Sequence, residues 1–256
     1  QSYKQIKIME ENKPNYPTET IELPSKGLIY SKENPLSSGK VEMKYMTAKE
    51  EDILSNQSYI KDGTVIDKLL QSLIVSKIEY KDLIVGDKNA ILIASRILGY
   101  GAEYTFEHKG EEVTVDLSIL ENKEINEEDF TQGQNEFSYK LKTTNDNITF
   151  KLLTHGDELR IDEELKGLKR INKKSSKDVS TRLKYMIQSI NGDETPSSIR
   201  TFVDNNFLAR DAREFRLHIK SFQPDINMRV SVETSEGTDD IELPISLNFF
   251  WPDVEL

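Results

Sequence analysis

Asp82-Leu83-Ile84-Val85-Gly86-Asp87, running into Ile91-Leu92-Ile93-Ala94-Ser95-Arg96-Ile97-Leu98-Gly99-Tyr100-Gly101 and then Ala102-Glu103-Tyr104-Thr105-Phe106, changes its apolar period partway along. Ala90, Ile91, Ala94, Ile97 and Leu98 recur at the spacing that gathers one face of a helix. The spacing predicts a helix that begins near Asp87, whose carboxylate would cap free amides, and ends at Gly99, with Gly101 tightening the turn. Beyond it Tyr104 and Phe106 alternate with polar residues, as do Val113, Val115 and Leu117, and His108-Lys109-Gly110-Glu111 between them reads as a hairpin turn. A helix delivered into an antiparallel hairpin points to an α+β fold.

Upstream, Val65, Ile66, Leu69, Leu70, Leu73 and Ile74 predict a second buried helix face, introduced by Gly63 and Thr64. Thr47 and Glu50 have the spacing of a capping box, and Val41, Met43 and Tyr45 alternate like a half-buried strand. In Leu23-Pro24-Ser25-Lys26-Gly27-Leu28-Ile29-Tyr30 two extended pieces meet at a turn for which Gly27 supplies a positive φ.

Downstream, residues 121–136 carry Glu121, Glu124, Glu127, Glu128 and Asp129 with little apolar surface, which predicts a mobile acidic linker or insertion. A hairpin follows, with Phe137, Tyr139 and Leu141 on one arm and Ile148, Phe150 and Leu152 on the other. Leu159, Leu165, Leu168 and Ile171 predict one helix, and Val179, Leu183, Met186, Ile187 and Ile190 another that Asn191 and Gly192 end. A short helix capped by Ser197 or Ser198 and a longer one over 209–222 precede a last hairpin, Ile226 to Val232 against Ile241 to Phe249. The expected organisation is two mainly helical subdomains, 21–120 and 137–256, each with a β-hairpin, joined by the linker 121–136 and preceded by a polar arm, 1–20. The arm has no charged-then-apolar leader pattern.

A formal net charge of −11 argues against nucleic acid as the main partner, because phosphate binding depends on clustered Lys and Arg. The cations from Lys166 to Lys177 are interrupted by acidic neighbours and read as a solvated face. With no cysteine there is no disulfide, thiolate nucleophile or sulfur-ligated metal, and no apolar stretch of about 18 residues suits membrane insertion.

Catalytic chemistry finds little to stand on. His108, His155 and His218 have no metal-ligand spacing and read as surface histidines. There is no GxSxG nucleophile elbow, Val85-Gly86-Asp87-Lys88 lacks the rest of a phosphate loop, and Gly99-Tyr100-Gly101 follows a helix instead of opening one. Glu50-Glu51-Asp52 and Glu127-Glu128-Asp129 lack calcium-loop spacing and read as solvated carboxylates. No cofactor is called for. Arg96 interrupts an inward-facing run, so it either meets a carboxylate such as Asp87 or Asp82 or faces a partner.

Three stretches together resemble the baseplate-hub assembly proteins of T4-type phages, relatives of other phage tail assembly chaperones. They are Leu23 to Tyr30, Asp82 to Gly101, and Ala209-Arg210-Asp211 with Phe215-Arg216 and the terminal Phe249-Phe250-Trp251-Pro252. The resemblance spans most of the chain and is most specific in its central part. It implies a non-enzymatic escort for a hub or tape-measure protein, working in the host cytoplasm or remaining in the tail baseplate. A permanent baseplate subunit is the alternative, a hydrolase is a weaker one, and self-association is left open. Relatives often carry CxxC pairs where this chain has Tyr104 to Leu117 and Ile226 to Leu247, so the resemblance implies metal-free hairpins of the same shape here. The expected partner contacts are Leu28, Tyr30, Arg96, Tyr100, Tyr104, Phe250 and Trp251, and the terminal aromatic run either packs on the helices or is offered to a partner.

Overall fold

The computed structural model describes residues 16–173 and 176–250. The fold is α+β, with helices carrying small antiparallel sheets. Strands β1 (Thr18–Glu22) and β2 (Lys40–Lys44) pair with Ile21 opposite Val41. Helices α1 (Ala48–Leu54), α2 (Gln57–Asp62) and α3 (Val65–Leu73) follow and lead to α4 (Val85–Tyr100). The hairpin of β3 (Glu103–His108) and β4 (Glu111–Asp116) comes next.

In the second half β5 (Phe137–Lys140) and β6 (Asn147–Phe150) form a sheet with β7 (Ile187–Ile190), reached through α5 (His155–Ile171) and α6 (Asp178–Met186). Then come α7 (Pro196–Thr201), a π-helical turn over Phe202–Asn206, α8 (Ala209–Phe222) and the hairpin of β8 (Arg229–Thr234) and β9 (Gly237–Glu242). Among the described residues no helix is long and apolar enough to cross a membrane.

Local chemistry explains the elements that were foreseen. Gly27 takes φ 76°, and an added Cβ there would lie 2.4 Å from the Ser37 carbonyl oxygen, so this turn needs glycine. The Thr47–Glu50 capping box forms, yet Glu50 is not a solvated carboxylate: it is fully buried. Burial pushes its pKa up, but bonds from Lys44, Thr47 and Ser72 override that and bring it down to about 2.

Several boundaries fall elsewhere, each for a nameable reason. Helix α4 starts at Val85 and runs through Gly99 to Tyr100, and the positive φ belongs to Gly101 at 86°. Asp87 does not cap its own helix, because its carboxylate is taken by another segment. The apolar run from Val179 is not one helix: α6 stops at Met186, and Ile187–Ile190 becomes the third strand of a sheet, with the Thr149 and Ser189 hydroxyls 2.6 Å apart. Thr195 and Pro196, not Ser197 or Ser198, start α7. On α5 the fully buried apolar residue is Ile161, while Leu159 and Ile171 of the predicted face are exposed.

The acidic segment 121–136 is no mobile linker. The amide of Lys123 donates to the Asp225 carbonyl and that of Asn227 to the Glu121 carbonyl, each at 2.8 Å, while Gly133 N–H donates to the Leu28 carbonyl at 2.7 Å. Phe130 anchors it, buried and stacked 5.0 Å from Phe222 with an edge against Phe137. Burial of one apolar ring of that size contributes about 2 kcal/mol, which adds to the backbone hydrogen bonds that hold the strap in place.

The expected split into two subdomains is not how the core divides. One hydrophobic cluster draws on α3, α4 and β3–β4 as well as β5–β6, α8 and the last hairpin. The hairpin β8–β9 lies on β3–β4, with Tyr104 Oη donating to the Pro244 carbonyl at 3.0 Å and His108 Nε2 3.0 Å from Asp239. Val113, Val115, Val230 and Val232 are buried on these two hairpins, so they pack by β-branched and aromatic contact.

Candidate functional site

Helix α4 organises what surrounds it. At its amino end the Ser25 amide, the Ser25 hydroxyl and the Tyr30 hydroxyl donate to the Asp87 carboxylate at 2.9, 2.6 and 2.6 Å. The Ile84 amide in turn donates to Tyr30 Oη at 3.1 Å. Burial pushes the Asp87 carboxyl above its ordinary range against these bonds, with the Asp225 charge adding to the rise, and burial likewise raises the Tyr30 hydroxyl. The turn Leu23 to Tyr30 and the start of α4, two of the stretches behind the family resemblance, are thus one structural unit.

At the carboxyl end Arg96 meets no carboxylate among the described residues. Its guanidinium donates to the carbonyls of Gly101 at 2.7 Å and Glu103 at 2.8 Å, with the rings of Tyr100, Tyr104 and Phe249 all within 6 Å. Both expectations for this residue, an Asp87 or Asp82 salt bridge and a partner-facing arginine, give way to a buried cation in an aromatic cage. The negative end of the helix dipole and the freed carbonyls beyond Tyr100 make the position favourable for a cation.

This arrangement removes most of the expected partner contacts from the surface. Tyr30, Arg96, Tyr104 and Phe250 are buried, whereas Leu28 and Tyr100 are half-buried against the core. Tyr100 donates to Glu51 at 3.2 Å, and burial together with that carboxylate raises its pKa to about 12. Of the terminal aromatic run, Phe249 and Phe250 are core; Trp251 and Pro252 lie outside the described residues.

An open apolar groove lies at the other end of α4. Pro224 crosses so close over its first turn that a Cβ on Gly86 would sit 1.8 Å from the Pro224 carbonyl oxygen. The Val85 amide donates to the Leu153 carbonyl at 3.4 Å and His155 N–H to the Leu83 carbonyl at 2.8 Å, which fixes the entry to α5 alongside. A groove of about 360 Å³ opens between these pieces. Ile84, Leu152 and Leu153 form its floor, Val179, Leu183 and Met186 of α6 one wall, and Arg216, Gln223 and Pro224 the other. Val179 is 48% exposed, so an apolar side chain stands uncovered at the rim. Arg182 reaches Glu158 at 2.5 Å and Asp178 at 3.5 Å.

Polar clusters are the other candidates. Asp67 accepts from Tyr80 at 2.7 Å and pairs with Lys88 at 2.8 Å, and Lys88 Nζ lies 3.3 Å from His155 Nδ1. His155 is buried, contrary to the surface reading, and burial with the Lys88 charge lowers its pKa. His108 and His218 are half-buried; burial lowers the pKa of His218, which stacks with Phe222. Each polar group of the Asp67 cluster is satisfied by another, so it clasps α3, α4 and α5 together. A depression of about 310 Å³ lined by Lys151, Arg160, Lys184 and Arg200 is likewise saturated, because Asp157, Asp204 and Glu164 hold those cations. Among the described residues no group of three or more His, Asp or Glu is placed to hold a metal ion.

Sequence reasoning did not single out Val179, Arg182 or Arg216 as a site. The available signal was weak: Arg216 stands beside the buried Phe215 in a stretch used for the family resemblance, and Val179 sits among charged residues on α6. No family model, no curated protein and no solved structure matches this chain.

Proposed function

We propose that the protein is a non-enzymatic assembly factor of a phage tail, binding a baseplate-hub or tape-measure protein through the groove beside the amino end of α4. The observation that carries the reading is the apolar wall of that groove, where Val179 is half exposed beside the buried Leu183, while Tyr30, Tyr104, Phe249 and Phe250 of the motifs are buried in the core. The residues behind the family resemblance support it differently. Ser25, Tyr30 and Asp87 lock one end of α4 and Arg96 with Phe249 the other, so the motifs describe the scaffold that holds the groove open.

A stoichiometric binder needs shape and surface, not matched proton affinities. The best proton-transfer candidate, Asp67 with Lys88 and His155, bonds internally. The test is co-expression of the chain with each hub and tape-measure protein of a T4-type tail. A soluble complex that dissociates when Val179→Asp is introduced is the expected result; no complex with any tail protein overturns the reading. Stoichiometric presence in finished particles would assign the complex to the permanent baseplate instead of to a departing chaperone.

A further inference from the structure

We propose that the groove takes an apolar segment bearing carboxylates, presented by the partner, with its apolar side chains on Leu153, Val179 and Leu183 and an acidic flank on Arg216. This deepens the preceding reading and rests on it for the partner's origin, though the groove chemistry stands on its own geometry.

The charge at this place runs against the charge of the molecule. The whole chain carries −11, yet the groove is lined by two arginines and one carboxylate. Glu158 is already committed, since Arg182 holds it at 2.5 Å, and Arg182 also reaches Asp178. Arg216 is different. It is exposed, its Nε donates at 3.3 Å only to the Ala212 carbonyl of its own helix, and among the described residues it has no carboxylate partner.

The helix end beside the groove does not offset this cation. The first turn of α4, Val85 and Gly86, lines the groove, but the Val85 amide is taken by the Leu153 carbonyl and the turn carries its own buried acid, Asp87, bonded to Ser25 and Tyr30. Among the described residues Arg216 is therefore the groove's cation without an acidic partner. A neutral apolar segment would fill the floor and leave it unmatched, and a basic one would be repelled by it. The cavity of about 360 Å³ is at the small end for ligand sites, so it anchors a few side chains of a segment and not a domain face. Salt at about 0.1 M screens charges beyond roughly 10 Å, so the acidic remainder of the surface does not prevent a local acidic contact.

The experiment uses the full chain and three synthetic amphipathic peptides with one leucine pattern, flanked by Glu, Gln or Lys, titrated by fluorescence anisotropy. The Glu-flanked peptide is expected to bind about fivefold or more tighter than the Lys-flanked one at low ionic strength, with the gap narrowing at about 0.5 M salt. Arg216→Glu should invert that order, and Val179→Asp should weaken all three peptides. Circular dichroism checks that both variants remain folded. Equal affinity for the three peptides, no binding of any, or binding indifferent to Val179→Asp overturns the proposal. Self-association lost in Val179→Asp would overturn it as well, by making a second copy the occupant. Peptide selectivity without any co-purifying tail protein would sink the phage reading alone, whereas a tail complex without peptide selectivity would sink only the acidic-segment inference.

Discussion

At its amino end α4 buries an anion, Asp87, among three donors from the turn at Leu23 to Tyr30; at its carboxyl end it buries a cation, Arg96, among two carbonyls and three rings. Among the described residues neither charge has a counterion in direct contact, and each sits where the helix dipole favours its sign. The ends differ in what covers them. Tyr104 and Phe249 close the carboxyl end with the chain's own aromatic side chains, while beside the amino end Val179 and Arg216 are exposed among the described residues. The aromatic side chains of the motifs are therefore spent on the sealed end, while the open end combines motif residues, Ile84 to Gly86 and Arg216, with Val179, Leu183 and Met186 of α6, which belong to none of them.

Arg96→Ala tests the sealed end and should have the largest effect. It strips the Gly101 and Glu103 carbonyls of their donor and empties the space between three rings, for a loss of about 3–5 kcal/mol in urea unfolding. Arg96→Lys should recover only part of this, because an ammonium cannot span two carbonyls with the planar fork of a guanidinium. A loss under about 1 kcal/mol for Arg96→Ala would mean that the cage is not a core element.

Asp87 breaks the symmetry in a way that pH exposes. Asp87→Ala leaves three donors without an acceptor and should cost about 2–3 kcal/mol, whereas Asp87→Asn keeps an acceptor and should cost less. The folded carboxyl titrates above its ordinary 3.8, so below 3.8 it is protonated in both states and carries no penalty. As pH rises from 3.8 toward the raised folded value, the unfolded chain ionises first and stability falls. Asp87→Asn removes that fall, so the variant should gain on the wild type as pH rises through this window, read from unfolding midpoints at successive pH values. Glu50 has the opposite sign: its stabilisation is complete above 4.5 and is lost as pH falls toward about 2, so Glu50→Gln should flatten the acid limb. A wild-type minus Asp87→Asn difference that does not change with pH would mean the two ends do not differ in this respect.

The sequence made the α+β class legible because period carries it: Ile91 to Leu98 repeats like a helix and Val113 to Val115 like a strand. Local signals also located the capping box at Thr47 and Glu50 and the turn at Gly27. Long-range partners were not readable. Nothing near Phe130 announces Phe222, and nothing near Asp87 announces Ser25, so a packed strap looked like a linker and a cross-chain anchor looked like a cap. Arg96 was recognised as anomalous but not resolved, because backbone carbonyls satisfy it and carbonyls have no sequence signature. The candidate groove was hidden for the same reason: its floor, α6 wall and α8 wall come from separate parts of the chain and meet only in three dimensions.

The smallest expected effect on stability falls at the open end, where folding and binding separate. Val179 is the second residue of α6, in the first turn that Asp178 already makes acidic, and Arg182 lies three residues on. An aspartate there suits the positive end of the helix dipole and the nearby arginine, so Val179→Asp should shift stability by no more than about 0.5 kcal/mol. The same charge placed against Leu183 and Leu153 should disfavour any apolar segment entering the groove, so binding is lost while the thermal unfolding midpoint stays put. If Val179→Asp instead unfolds the protein, Val179 is part of the core, the amino end of α4 is as sealed as the carboxyl end, and the contrast between them disappears.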